Sequence, residues 1–217
     1  MEKLKKVVVS KYVKIALKKR KTHNTITPSE MNLEMEDFIP CIYNKCSPNY
    51  YGLVFSQRII KESNEFLKTT PHSMDNGDFY FYDFDLKKTF FGEIKISYKG
   101  KNGNYRITNI RDHQKFDFFV LCFVDTEKNF TPRYYIVSKK SITNSGFFYL
   151  TPMNGTKVAN MNNEVVPKST SVKESDCDWY FKKHTLLKGD TFSDLKQFFN
   201  KDFIKTHKTK IFSSLNS

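Results

Sequence analysis

The chain has 217 residues, 39% of them hydrophobic, enough to bury one substantial core. Its 36 basic residues against 23 acidic ones leave a net charge of +13, which favours a polyanionic partner such as nucleic acid. Apolar runs such as Phe116 to Val124 are far too short to span a membrane, and the basic amino terminus lacks the apolar core and cleavage site of a signal peptide.

Residues Lys3 to Lys21 carry Leu4, Val8, Tyr12 and Ile15 at helical spacing with lysines elsewhere, so 1–23 is expected to form a basic helical segment able to meet phosphates. Thr22 to Pro48 is polar and contains Pro28, Pro40 and Pro48. It is expected to be irregular with short helical pieces, and its acids Glu30, Glu34, Glu36 and Asp37 to be solvated. Tyr50 to Thr69 reads as a longer helix: Phe55, Ile59 and Phe66 share a narrow sector, Leu53, Ile60 and Leu67 extend it, and Arg58 and Lys61 lie outside. Glu62 falls inside the apolar sector. A carboxylate there is costly unless paired or metal-bound, so Glu62 either edges the core or points into a site.

Asn76 to Ser97 reads as a β-hairpin, with an aromatic strand Phe79 to Phe84, a polar turn Asp85 to Lys88 and a second strand Phe90 to Ser97. Period two puts Asp78 on the face of Tyr80 and Tyr82, and Asp83 and Asp85 on the other. On the second strand Glu93 and Lys95 share a face while Ile94 and Ile96 take the opposite one. Lys99 to Asn104 is a flexible basic loop whose Lys99 and Lys101 can approach a phosphate backbone. Tyr105 to Lys115 is expected as a short helix with Ile107 and Ile110 inward and Arg106, Arg111 and Lys115 outward. Phe116 to Val124 matches a central strand buried on both faces, paired with Tyr134 to Ser138 across the loop at Asp125 to Pro132. The extension 140–217 holds a strand at Phe147 to Leu150, a long Asn- and Thr-rich loop at Thr151 to Ser171, a strand at Trp179 to His184, and a helix at Phe192 to Ile204 capped by Asp190 or Thr191. Together these elements make one α/β domain, a central mixed β-sheet flanked by helices.

The hairpin carries the chemistry. Two converging carboxylates repel each other unless a divalent cation lies between them, and hard oxygen ligands suit Mg²⁺ or Mn²⁺. Asp78 and Glu93 are the expected ligands, the Ile94 carbonyl a further one, and Lys95 the cation that orients a water for phosphodiester hydrolysis. The tripeptide alone decides nothing: with 23 acids and 31 lysines in 217 residues, chance supplies about three acid-x-Lys matches, and the chain has three. Asp85 lies in a turn and Asp194 in a helix, where i and i+2 do not share a face. Only Glu93 and Lys95 sit on a strand beside another acid. Cys41, Cys46, Cys122 and Cys177 form no CxxC pair, which suits a reducing cytoplasm and speaks against structural zinc. A GxSxG motif and paired histidines are both missing, leaving little support for a serine or cysteine hydrolase or an HNH-type nuclease.

Gly77-Asp78 followed by Glu93-Ile94-Lys95 resembles the PD-(D/E)xK nuclease superfamily, whose first motif is often reduced to Gly-Asp; here Asn76 and Gly77 precede Asp78 without the proline. The resemblance covers about Tyr50 to Ser138. Within it, ITNIRDHQKFDFFVLCFVD is similar to the segment of type II restriction endonucleases in which a helix with Gln and Arg precedes the buried strand; beyond it, the later stretch LTPMNGTKVANMNNE is similar to a Gly-Thr and Asn-rich segment of some of them. It implies a restriction-endonuclease-like core, Mg²⁺ with Mn²⁺ able to substitute, no organic cofactor, and a homodimer cutting double-stranded DNA at a short site. Asp78, Glu93 and Lys95 would be catalytic, with Glu62 as an extra acid. Arg106, Arg111, His113, Gln114 and Lys115, and in the long loop Asn154, Lys157, Asn160, Asn162 and Asn163, carry groups able to contact phosphates or base edges. Two alternatives share this composition. A phage or repair-type structure-selective nuclease, such as a junction resolvase, would use the same metal core. A non-catalytic basic nucleic-acid-binding module would keep the charge without needing the four residues together.

Overall fold

The computed structural model describes residues 23–63, 67–70, 76–84, 87–111, 114–139 and the short segments 151–152, 158–159, 164–165, 168–173 and 185–189. The expected helices at 3–21 and 192–204, and the expected strands at 147–150 and 179–184, lie outside them. Three helices come first: α1 (Pro28–Met31), α2 (Met35–Lys45) and α3 (Pro48–Glu62). The stretch expected to be irregular with short helical pieces is helical over more of its length, α2 alone running for 11 residues. Pro28 and Pro48 stand in the first turn of α1 and α3, where a missing N–H costs nothing. Pro40 lies inside α2 and forfeits one intrahelical bond, offset by burial of Met35, Phe38, Ile39 and Ile42. Glu30 closes a capping box with Thr27 and pairs with Lys45 at 2.6 Å, so it is not a loosely solvated acid.

Helix α3 begins earlier and ends sooner than its periodicity predicts. It stops at Glu62, and Lys68 and Thr69 belong to a sheet. Phe55 and Ile59 face the core as expected, but Leu53 is 46% exposed and Arg58, expected outside, is 5% exposed. The end of α1 and its link to α2 cover that flank of α3, and the Met31 and Leu33 carbonyls there accept hydrogen bonds from Arg58 at 2.5 and 2.8 Å. The Arg58 guanidinium also lies 5.1 Å from the centre of the Phe38 ring.

The strands are, in chain order, β1 (Lys68–Thr69), β2 (Phe79–Asp83), β3 (Lys88–Tyr98), β4 (Asn104–Ile110), β5 (Phe118–Asp125), β6 (Thr131–Ser138), β7 (Thr151–Pro152), β8 (Val158–Ala159), β9 (Glu164–Val165), β10 (Lys168–Lys173) and β11 (Thr185–Gly189). Six form a central sheet in the order β1-β2-β3-β5-β6-β11. It is mixed: β3 and β5 run parallel, and the other neighbours run antiparallel. Every residue of β5 is buried, as its apolar run predicts. Phe118, Val120, Cys122 and Val124 pack toward the helices with Ile94 and Ile96; Phe119, Leu121 and Phe123 pack on the other face against Tyr105, Ile107 and Ile110 of β4.

Parallel neighbours require a crossover connection. The segment from Tyr105 to Lys115, expected to be a helix, makes that crossover as strand β4, which pairs with β10 in a second sheet of order β4-β10-β7. Part of the expected long loop at 151–171 is thus strand. The spacing of Ile107 and Ile110 imitates a helix for a definite reason. Ile110 pairs with Lys168 and Ile107 with Thr170, so β4 spends three residues where β10 spends two, and Asn109 takes a left-handed φ of 56°. This bulge turns both isoleucines inward.

The β2–β3 hairpin is locked by Gly92. Phe79 pairs with it across the ladder, and a Cβ at Gly92 would lie 2.3 Å from the Phe79 ring. Gly92→Ala is expected to destabilise the protein by about 1–3 kcal/mol. Adding Phe79→Leu to that variant should lower stability less than Phe79→Leu does alone, because the clash is relieved; urea midpoints of the four proteins test this, and additive losses would refute it.

Candidate functional site

The ladder between β2 and β3 ends at the Phe79 and Gly92 pair. Beyond it the β2 side of β3 has no strand partner among the described residues, and Asp78 takes the place of one. The Asp78 N–H donates to the Gly92 carbonyl at 2.8 Å, and Asp78 Oδ2 accepts the Ile94 N–H at 2.8 Å. The carbonyl of an extended residue points to the same side as its N–H, so the Ile94 carbonyl faces this edge too. Gly77 makes the approach possible. Its φ is +81°, and a Cβ there would lie 2.6 Å from the Gly92 carbonyl oxygen, so a glycine is required ahead of the acid.

Glu93 and Lys95 share the face of β3 that looks toward β4, as strand parity predicts. Lys95 Nζ lies 2.5 Å from Glu93 Oε1 and 3.5 Å from the Asn109 carbonyl, which the β4 bulge presents to it. Glu93 is buried, at 6% exposure. Burial, then the Glu93 charge, push the Asp78 carboxyl up to about 7 from an ordinary 3.8, against the opposing pull of Lys95 and the Ile94 N–H. Buried Glu93 and half-buried Asp78 against one lysine leave the cluster short of one positive charge. These groups form the floor of a cleft of about 470 Å³, walled by the first half of α3 on one side and by Arg106, Thr108 and Asn109 of β4 on the other.

No family model, curated protein or solved structure matches this chain. Among the described residues no group of three or more His, Cys, Asp or Glu side chains comes together. Asp78 and Glu93 are the two carboxylates of the cleft, and with the Ile94 carbonyl they could offer oxygen donors to a hard cation such as Mg²⁺, which takes one or two carboxylates and fills its other positions with water and phosphate.

Glu62 is not among the residues lining the cleft. It pairs with Arg58 four residues earlier at 2.9 Å, so of its two expected roles it takes the one at the edge of the core. Of the residues expected to meet nucleic acid, Arg106 lines the cleft; Arg111, Gln114, Lys115, Lys99 and Lys101 do not. Lys99 pairs with Glu127 at 2.8 Å and lies 3.6 Å from Asp125, which ties down a side chain expected to be free for phosphate. Lys101 and Lys115 are exposed and Gln114 half-buried. His113, Asn154, Lys157, Asn160, Asn162 and Asn163 lie outside the described residues, as does Asp85. The cleft also includes Asn49, Tyr51, Gly52, Ser56 and Asn109, which periodicity does not single out. The one local signal among them is Gly52, an unusual residue inside a helical pattern.

The raised Asp78 value makes stability depend on pH. Between pH 3.8 and about 7 the folded protein holds a proton that the unfolded chain has released, so stability falls as pH rises through that window. Asp78→Asn keeps an acceptor for the Ile94 N–H and removes the titration. Its melting temperature is expected to exceed that of the wild type by several degrees above pH 7, with the gap closing toward about pH 4. Thermal melts across that range test this, and a gap that does not change with pH would refute it.

Proposed function

We propose that this protein is a Mg²⁺-dependent endodeoxyribonuclease of the PD-(D/E)xK kind, with a restriction-endonuclease-like core, acting as a homodimer on a short site in double-stranded DNA. The observation that carries the reading is the convergence of Asp78, Glu93, the Ile94 backbone and Lys95 at an open strand edge, in a cleft whose two carboxylates share one lysine. The net charge of +13 supports a polyanionic substrate. Asp78, Glu93 and the Ile94 carbonyl would hold Mg²⁺, and Mn²⁺ could replace it. Bound there, the ion supplies Lewis-acid stabilisation of the charge that builds on the phosphate oxygens. Lys95, fixed between Glu93 and the Asn109 carbonyl, orients the attacking water in line with the P–O3′ bond. Arg106 faces the phosphate from the opposite wall. Dimerisation is inferred from the resemblance and from the need to cut two strands.

Incubation with plasmid and phage DNA plus Mg²⁺ is expected to give discrete fragments. Glu93→Ala and Lys95→Ala should each slow cleavage by about 10²–10⁴-fold. Mg²⁺ should raise the melting temperature of the wild type and not of Asp78→Asn. Salt-sensitive DNA binding without metal-dependent cleavage would replace the proposal with a binding module, and structure-selective nicking would replace it with a repair-type nuclease.

A further inference from the structure

Glycine in the interior of an α-helix is destabilising relative to alanine, because its backbone loses more freedom on folding. One persists where packing forbids a Cβ, where φ is positive, or where another molecule must come close. At Gly77 and Gly92 the fold supplies the reason, since a Cβ would collide with Gly92 backbone and with Phe79 respectively. At Gly52 it supplies none. A Cβ there meets no atom of the described residues within 4 Å, and its φ is not positive.

The open space beside Gly52 is the cleft itself. Asn49, Gly52 and Ser56 line it from α3 at spacings of three and four, which puts them on one stripe of the helix with the glycine at its centre. Across the gap stands Arg106, and Asp78, Glu93 and Lys95 form the floor. A cavity of about 470 Å³ is of the size that holds a small ligand, comparable to a nucleotide unit of one strand.

We infer that Gly52 is a substrate-positioning residue: its missing side chain lets the sugar-phosphate chain of one nucleic-acid strand pass directly against α3, with Arg106 meeting the phosphate from the other side. The inference rests on the nuclease reading of the floor and adds the path of the strand across it.

Gly52→Ala and Gly52→Leu separate this role from a structural one. Alanine improves the helix, so the melting temperature should hold or rise and the Mg²⁺-induced thermal shift should persist. Cleavage should nevertheless show KM raised about ten-fold in Gly52→Ala with kcat retained, and about a hundred-fold or more in Gly52→Leu. The dissociation constant of a fluorescent duplex oligonucleotide, measured with Ca²⁺ in place of Mg²⁺, should rise in parallel. Wild-type KM and oligonucleotide affinity in a folded Gly52→Leu would overturn the inference and leave the nuclease reading standing. A wild-type protein that cleaves no DNA, yet loses oligonucleotide affinity on Gly52→Leu, would retain the close approach and remove the nuclease. Failure of the wild type to bind any oligonucleotide would overturn both.

Discussion

Much of this structure follows from the point at which β2 stops. Beyond Gly92, the backbone of β3 on that side faces no strand among the described residues, and polar groups left without partners at a buried edge are costly. Asp78 answers for Ile94 by placing a carboxylate oxygen where a carbonyl of the missing strand would have been. That solution has a cost, since the half-buried carboxylate must sit partly desolvated beside the Glu93 charge. Lys95 offsets part of the repulsion. The remainder gives the cluster its affinity for a proton and, on the proposed reading, for a divalent cation.

The surroundings hold this cluster in place. β5 is buried on both faces, so the strand beside β3 is packed between the helices and the second sheet and offers a rigid floor. The crossover that joins β3 to β5 is a strand and not a helix, and its bulge at Asn109 turns a carbonyl toward Lys95. Bulges commonly re-aim backbone groups beside functional sites. The first half of α3 closes the other side, with Val54 and Phe55 turned into the core and Asn49, Gly52 and Ser56 on the cleft beside Tyr51 and Leu53.

Arg58 and Glu62 show how a group with the signature of a site can be structural. An acid within an apolar helical sector needs a partner, and four residues earlier the helix supplies one. Arg58 in turn satisfies one carbonyl at the end of α1 and one in its link to α2. The pair fastens the helical layer to itself, and the carboxylates of the cleft come from the hairpin.

What the sequence by itself determined is what depends on neighbouring residues. Strand parity put Glu93 with Lys95 and opposite Ile94, and the aromatic strand ahead of it placed Asp78 at its start; an unbroken apolar run marked β5 as doubly buried, because a strand alternates faces whatever surrounds it. The same rules failed where a distant segment decides. Ile107 and Ile110 carry a helical spacing that a bulged strand also produces, and pairing with β10, far along the chain, selects the strand. Arg58 lies outside the apolar sector of its own helix and is nevertheless buried, because the link between α1 and α2 covers that flank. The proline-containing stretch before α3 becomes helical because burial of Phe38, Ile39 and Ile42 outweighs one lost hydrogen bond. The meeting of Gly52 and Arg106 across a cleft, and the carbonyl of Asn109 against Lys95, are likewise tertiary facts, since they join elements whose contact no local period encodes.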